Sequence, residues 1–265
     1  MGILNITPDS FSDGGQFLNT KQAVKHALKM EQDGADIIDI GGESTRPGAI
    51  PVTVKEELRR VLPVIKALIK KVSIPLSIDT TKAEVAKNAV NLGVSIINDI
   101  SGLTSDSEMI SVVSQSSAGL IIMHAQGTPQ TMQKNPRYNN IIREVYAFLD
   151  RQIKEAIDAG ISKSRIVVDP GIGFGKTVDH NLTLINRLSD FIPLGVPILL
   201  GPSRKSFIRK VLSDANNISN ALHEGTAVAV SLAIINGARI VRVHDVASIK
   251  MVSQMTEAII KIECM

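Results

Sequence analysis

Pro75-Leu76-Ser77-Ile78-Asp79, then Lys82–Leu92, then Ser95-Ile96-Ile97-Asn98 is the stretch whose reading decides the fold. A short apolar run ends on a carboxylate. A run with helical spacing follows, and a second short apolar run ends on a carboxamide. Short runs of this kind read as buried strands, and the segment between them as an amphipathic helix. The same unit recurs in both directions. Upstream, Met1–Ile6 predicts a strand and Lys21–Gln32 a helix, with Thr20 as N-cap and Val24, Ala27 and Leu28 on one face. Asp36–Ile40 predicts the next strand and Val54–Lys71 the next helix. Downstream come Ser107–Gln115, the strand Gly119–His124 and the helix Ile141–Ala159, whose Ile142, Val145, Leu149, Ile153 and Ala156 keep register. Strands Arg165–Asp169, Pro197–Gly201 and Ile240–His244 follow, separated by His180–Leu188, Lys205–Leu212 and Ala221–Asn236 and closed by Ala247–Ile262. Regular alternation implies a parallel sheet. Eight such units, in a chain of 265 residues, suit a closed barrel. The expected fold is an α/β single-domain (β/α)₈ TIM barrel spanning 1–265, with an open doubly wound sheet as the alternative topology.

Composition agrees. Hydrophobic residues make up 44% and charged residues 21%, which allows a core and excludes global disorder. Aromatics are 3%, so the core must come from Ile, Val, Leu and Ala, as in strands buried on both faces. A net charge of +3 without a basic block gives no footprint for nucleic acid. The lone Cys264 cannot form an internal disulfide, and no apolar run stands out as a membrane span. The expectation is a cytoplasmic protein with no membrane partner.

The polar residues fall at strand ends. Asn5, Asp39, Asp79, Asn98, Asp99, His124 and Asp169 end the first six strands; Ser203-Arg204-Lys205 follows the seventh, and Arg242 and His244 lie on the eighth. Any one of these can cap a helix or start a turn. Together, at the C-terminal ends of barrel strands, they meet at one mouth, where this architecture builds its active sites. His124 reads best as a satisfied buried histidine. Asp169-Pro-Gly-Ile-Gly-Phe-Gly-Lys-Thr177 ends like a nucleotide-binding loop, but Pro170 stands where that motif needs glycine. Its glycines are expected to let backbone approach a ligand, with Phe174 offering a ring face. Lys205 opens a helix, where a cation is unfavourable unless an anion compensates. Arg242 and His244 are two apart on a strand and share a face; with Arg46 they suit a pyrophosphate. Zinc lacks any ligand cluster. Mg²⁺ held by Asn5 and substrate phosphates is chemically reasonable, because Mg²⁺ uses few protein ligands.

Several motifs resemble the dihydropteroate synthase family: Met1-Gly-Ile-Leu-Asn-Ile-Thr-Pro-Asp-Ser-Phe-Ser-Asp-Gly-Gly15, Asp39-Ile-Gly-Gly-Glu-Ser-Thr-Arg-Pro-Gly48, Ile78-Asp-Thr80, Asn98-Asp-Ile100, Met123-His124 with Gln126-Gly-Thr-Pro129, Asp169 to Lys176, Ser203-Arg-Lys-Ser206 and Arg242-Val-His-Asp-Val246. They cover essentially the whole chain in order. The resemblance implies condensation of 6-hydroxymethyl-7,8-dihydropterin pyrophosphate with 4-aminobenzoate, in folate biosynthesis. It assigns Asp79, Asn98, Met123, Asp169 and Lys205 to the pterin, and Arg242 to stacking on it and, with His244 and Arg46, to the pyrophosphate. Asn5 contacts the Mg²⁺–pyrophosphate. Phe174, Pro47, Thr45, Ser203 and Lys205 surround 4-aminobenzoate, in the pocket that sulfonamides occupy, and Phe11 and Asp13 close over the reacting carbon. Ala125 and Pro202 depart from the family pattern without removing a named group. A pterin-binding methyltransferase of the same fold, or a barrel that only binds a ligand, are the competing readings; the Thr-Arg-Pro loop and Ser-Arg-Lys favour the synthase. The apolar helix containing Ala227–Ile235 is expected to serve a homodimer.

Overall fold

The structure is a computed structural model that describes residues 1–7, 16–46, 48–215 and 217–262, with residues 16–19 as backbone. Eight parallel strands pair in chain order: β1 (Gly2–Asn5), β2 (Ile38–Gly41), β3 (Leu76–Asp79), β4 (Ile96–Asp99), β5 (Gly119–Met123), β6 (Ile166–Asp169), β7 (Ile198–Leu200) and β8 (Ala238–Val241). The intervening helices are α1 (Gln16–Gln32), α2 (Val54–Leu68), α3 (Ala83–Asn91), α4 (Met109–Ser114), α5 (Ile141–Asp158), α6 (Val178–Asn186), α7 (Ser206–Val211), α8 (Ile218–Ile235) and α9 (Val246–Ile262). The residues after β8 close the sheet on itself. Ile3 N–H donates to Val243 C=O and Val243 N–H to Met1 C=O, both at 2.9 Å. That closure removes the sheet's edges and decides for the barrel over the open sheet.

Side chains alternate across the barrel wall, as a period of two requires. Leu4, Ile38, Ile40, Leu76, Ile78, Ile97, Leu120, Ile122, Ile166, Val168, Ile198 and Leu200 point outward and share one core with Val61, Ile65, Leu68, Val85, Val145 and Leu149 of the helices. Each such side chain, fully buried, contributes roughly 1.5–3 kcal/mol. The opposite parity points inward. At the N-terminal end it supplies Met1, Ile121 and Leu199, packed with Ile37, Ile96, Val167 and Ile240 into an apolar floor. Two residues further along the same strands, roughly 6–7 Å higher, it supplies Asp39, Asn98, Met123, Asp169 and Arg242. The strands therefore fill the barrel at one end and equip it at the other.

Four local expectations change. Helix α1 begins at Gln16, so Thr20 lies inside it and is no N-cap. Helix α6 begins earlier than expected, because Thr177 and His180 form a reciprocal cap. Strand β8 ends at Val241, so Arg242 and His244 follow the strand instead of lying on it. Helix α8, with 18 residues and mean hydropathy 1.3, is long and apolar enough to cross a membrane by length and composition, contrary to the expectation that no such run exists. Here Ala221, Thr226, Ala229, Val230 and Ala233 of α8 are buried inside the protein.

Candidate active site

The inward-facing polar residues form a throat. Asp39 Oδ2 accepts from Asn98 Nδ2 at 3.1 Å and from Arg242 Nε at 2.6 Å. The second arm of the guanidinium, Nη2, donates to Asp79 Oδ2 at 2.6 Å. The register explains the meeting, since Asn5, Gly41, Asp79 and Asn98 stand level across β1 to β4. One arginine facing two carboxylates in a buried setting leaves a surplus of negative charge. Burial pushes the Asp79 carboxyl above the ordinary range against the pull of Arg242, with Asp39 and Glu57 adding to the rise. The Arg242 guanidinium stays charged; the two carboxylates outweigh its desolvation.

Asp169 and Lys205 complete the throat. Asp169 Oδ1 accepts the Gly171 N–H at 2.7 Å, and burial raises its carboxyl although Gly171 and Lys205 both favour the anion. Lys205 is the N-cap residue of α7, and its Nζ stands 4.1 Å from the centre of the Phe174 ring. Burial, aided by Arg242, lowers its ammonium to about 8, with Asp169 and Asp79 opposing. A cation over a ring face gains about 0.5–2 kcal/mol. Phe174 in turn packs with Met123 and Met132.

Beside the throat lies a cavity of about 900 Å³ lined by Asn5, Arg46, Arg204, His244 and Asp245, with Lys25, His26, Lys29 and Asp33 of α1 also on its wall, so that cations outnumber carboxylates. Its donors are set by the backbone. The His244 N–H donates to Ser203 Oγ at 3.2 Å, and the same hydroxyl shares a hydrogen bond with His244 Nδ1 at 2.9 Å, the imidazole tautomer deciding which of the two donates. Burial and the cations Arg204, Arg242, Lys205 and Arg46 push the imidazolium down to about 3, so the ring is neutral at pH 7. Arg204 holds a left-handed φ of +55°, a conformation that costs on the order of 1 kcal/mol for a non-glycine. Its N–H is held by Thr226 Oγ1 at 3.2 Å. Strain kept at such a position belongs to the group it aims.

Asn5 offers an amide oxygen on the wall of this cationic cavity, and the described residues contain no cluster of three His, Cys, Asp or Glu able to cage a metal. That donor set fits a hard divalent cation carried mainly by phosphate oxygens, as Mg²⁺ is.

The structure thus brings Asp79, Asn98, Asp169, Lys205 and Arg242 together in the throat. Asn5, Arg46 and His244 line the adjoining cavity, with Ser203 bonded to His244. Thr45 is half-buried on the loop before Arg46. Phe11, Asp13 and Pro47 lie outside the described residues. Sequence reasoning gave no role to Asp39, Arg204 or Lys176. Asp39 could have been found by parity, two residues beyond the floor residue Ile37. Lys176 carried no such signal. It is buried, with Nζ 3.0 Å from His124 Nδ1, 3.3 Å from His124 C=O and 3.0 Å from Phe174 C=O. His124 is indeed the satisfied buried histidine the sequence suggested. The glycines nearby are also required by local packing. A Cβ on Gly171 would stand 1.8 Å from His124 O, and one on Gly175 2.3 Å from Gln126 O. Those two make room for the neighbouring loop, and Gly173 faces the Lys205 side chain, 3.0 Å from its Cδ.

A family model described as a pterin binding enzyme matches residues 1–244. The dihydropteroate synthase of Synechocystis sp. is 48% identical over 259 residues, covering 98% of this chain and 89% of that protein. A dihydropteroate synthase structure from Clostridium difficile, obtained in the presence of pteroic acid, superposes with a TM-score of 0.91 at 48% identity, covering 98% of this chain and 95% of that one. A Xanthomonas albilineans dihydropteroate synthase with 4-aminobenzoic acid superposes with a TM-score of 0.90 at 42% identity, covering 98% and 92%. With family model, sequence and fold in agreement over nearly the full chain, this protein belongs to the pterin-binding enzymes and, among them, to the dihydropteroate synthases.

Proposed function

We infer that this protein condenses 6-hydroxymethyl-7,8-dihydropterin pyrophosphate with 4-aminobenzoate to give 7,8-dihydropteroate and pyrophosphate. The observation that carries the residue assignment is the adjacency of a carboxylate throat and a cationic cavity: the substrate is a donor-rich heterocycle joined to a polyanion. The pterin edge presents adjacent N–H donors, which a carboxylate accepts as a pair, and Asp169 serves there. Asn98 donates and accepts, Lys205 donates to a ring acceptor, and Arg242, held flat by Asp39 and Asp79, offers its face to the ring. Met123 packs under the ring with Phe174. Arg46, Arg204 and the neutral His244 bind the diphosphate. Thr45, Pro47, Ser203 and Phe174 surround 4-aminobenzoate, and Phe11 and Asp13 close over the reacting carbon.

The chemistry follows from a weak nucleophile. An aniline nitrogen is neutral at pH 7 and needs a strongly electrophilic carbon more than it needs a base. The C–O bond breaks first, the electron pair leaving with pyrophosphate, and Arg46, Arg204 and His244 stabilise the developing charge. The methylene cation delocalises into the pterin and is stabilised by Asp13. The amine lone pair then forms the C–N bond and its proton passes to solvent. Asn5 is the residue to hold Mg²⁺, which when bound supplies further neutralisation of the diphosphate. The protein is cytoplasmic and acts as a homodimer. Support for the dimer comes from Val228, Leu232 and Ile235 on α8 and Met251, Met255, Ile259 and Ile262 on α9, an exposed apolar face on two packed helices.

Dihydropteroate formation by the purified protein from the two substrates, with inhibition by a sulfonamide that competes with 4-aminobenzoate, is the expected result. Pterin binding without product, under conditions that turn over a dihydropteroate synthase control, would refute the assignment. For the dimer, Leu232→Glu should convert the sedimenting species from two chains to one; an unchanged sedimentation coefficient would contradict it.

A further inference from the structure

The loop that carries Thr45 and Arg46 is tied at its base by charges that touch neither the throat nor the cavity. Glu43 Oε1 accepts the Val52 N–H at 3.2 Å, which joins the start of the loop to its end. Glu43 Oε2 accepts from Lys82 Nζ, and the same ammonium donates to Glu57 Oε2 at 2.6 Å. Glu57 sits in the first turn of α2 and is fully buried, and its Oε1 has no hydrogen-bond partner among the described residues. The next backbone unit is clasped too: Arg60 Nη1 donates to Gly42 C=O at 2.9 Å. A Cβ at Gly42 would stand 2.7 Å from Val61 Cγ1 and 2.9 Å from Glu57 Cγ, so this corner accepts only glycine without a shift.

Stability is a poor reason for such an arrangement. A buried ion pair is often no better than well-packed apolar residues of the same volume, while a half-satisfied one is worse. What the arrangement does provide is geometry, because Lys82 precedes α3 and its ammonium bridges Glu57 of α2 to Glu43 of the loop. We propose that Glu43, Lys82 and Glu57 are positioning residues: a three-charge staple that fixes where Thr45 and Arg46 stand over the mouth, and thereby governs capture of 4-aminobenzoate. This rests on the reading of Thr45 and Arg46 given above. The pterin groups Asn98, Asp169 and Lys205 come from β4, β6 and the start of α7, away from the staple, and Asp79 feels it only through the charge of Glu57, which every variant below retains.

The experiment uses the full chain and the variants Glu43→Ala, Lys82→Met and Lys82→Arg. It reads kcat, KM for 4-aminobenzoate, and calorimetric affinity for 6-hydroxymethylpterin. Glu43→Ala and Lys82→Met should raise KM for 4-aminobenzoate about tenfold or more while pterin affinity stays within about threefold. Lys82→Arg should recover KM to within about threefold, because it restores a cation between the two carboxylates. If Lys82→Met does not fold, Glu43→Ala decides alone, since it leaves the Lys82–Glu57 pair in place. An unchanged KM in Glu43→Ala, or equal losses in KM and pterin affinity, would overturn the staple. A wild-type protein that binds no pterin or makes no product would instead sink the functional reading beneath it.

Discussion

The throat and the cavity beside it share a rim but solve opposite problems. The throat gathers Asp39, Asp79 and Asp169 around the single guanidinium of Arg242 and the amine of Lys205, all largely withdrawn from water. The cavity gathers Arg46, Arg204 and a neutral His244 beside Asn5. The surplus of negative charge in the throat is costly until a ligand brings N–H donors, and the excess of cations over Asp33 and Asp245 among the described residues lining the cavity is relieved by an anion. A molecule that is donor-rich at one end and anionic at the other satisfies both at once. The lesson is that this fold orients its substrate by the sign of the charge it lacks.

The contrast can be broken one side at a time. The largest effect should come from Asp169→Ala, which leaves two pterin donors facing apolar surroundings: affinity for 6-hydroxymethylpterin should fall by about 1–3 kcal/mol or more. Calorimetry checks it, and an unchanged affinity would remove Asp169 from the ring site. Arg204→Ala should be intermediate and selective. Binding of the pterin pyrophosphate should weaken about tenfold, while 6-hydroxymethylpterin binds as before; equal weakening of both ligands would merge the two regions into one. The smallest effect is the pH dependence of Lys205. Its ammonium, lowered from 10.5 to about 8 by burial, is charged below that pH and neutral above it. Pterin affinity that depends on this donor should decline as pH rises through about 8. In Lys205→Met the decline should vanish; a decline that persists would assign it to another group.

Much of the fold was readable because one signal carried it. Alternating short apolar and longer amphipathic runs placed the strands to within a few residues at their ends, and their position at the C-terminal ends of those strands put Asp79, Asn98 and Asp169 at one mouth. Failures came where local rules met long-range contacts. Thr20 looked like an N-cap because intrinsic preference marks it as one, yet α1 continues through it to Gln16. The apolar character of α8 spreads round the helix, so a membrane span, a core helix and an interface helix look alike in composition. Arg204 was legible as a cation but not as a strained one, since its φ is fixed by Thr226 from another helix. The Gly-Lys-Thr ending was rightly set aside as a phosphate loop because of Pro170, but the long-range partner of Lys176, His124 at a separation of 52, is one that no local pattern predicts. Glu57 drew no notice in the sequence, because its burial against Lys82 is a property of the assembled barrel.

The most direct measurement is a crystal structure of the protein bound to 6-hydroxymethylpterin pyrophosphate. The account predicts the ring edge on Asp169 and Asn98 and the diphosphate among Arg46, Arg204 and His244. A diphosphate seated away from all three of those side chains, or a ring lying outside the reach of Asp169 and Asn98, would contradict it.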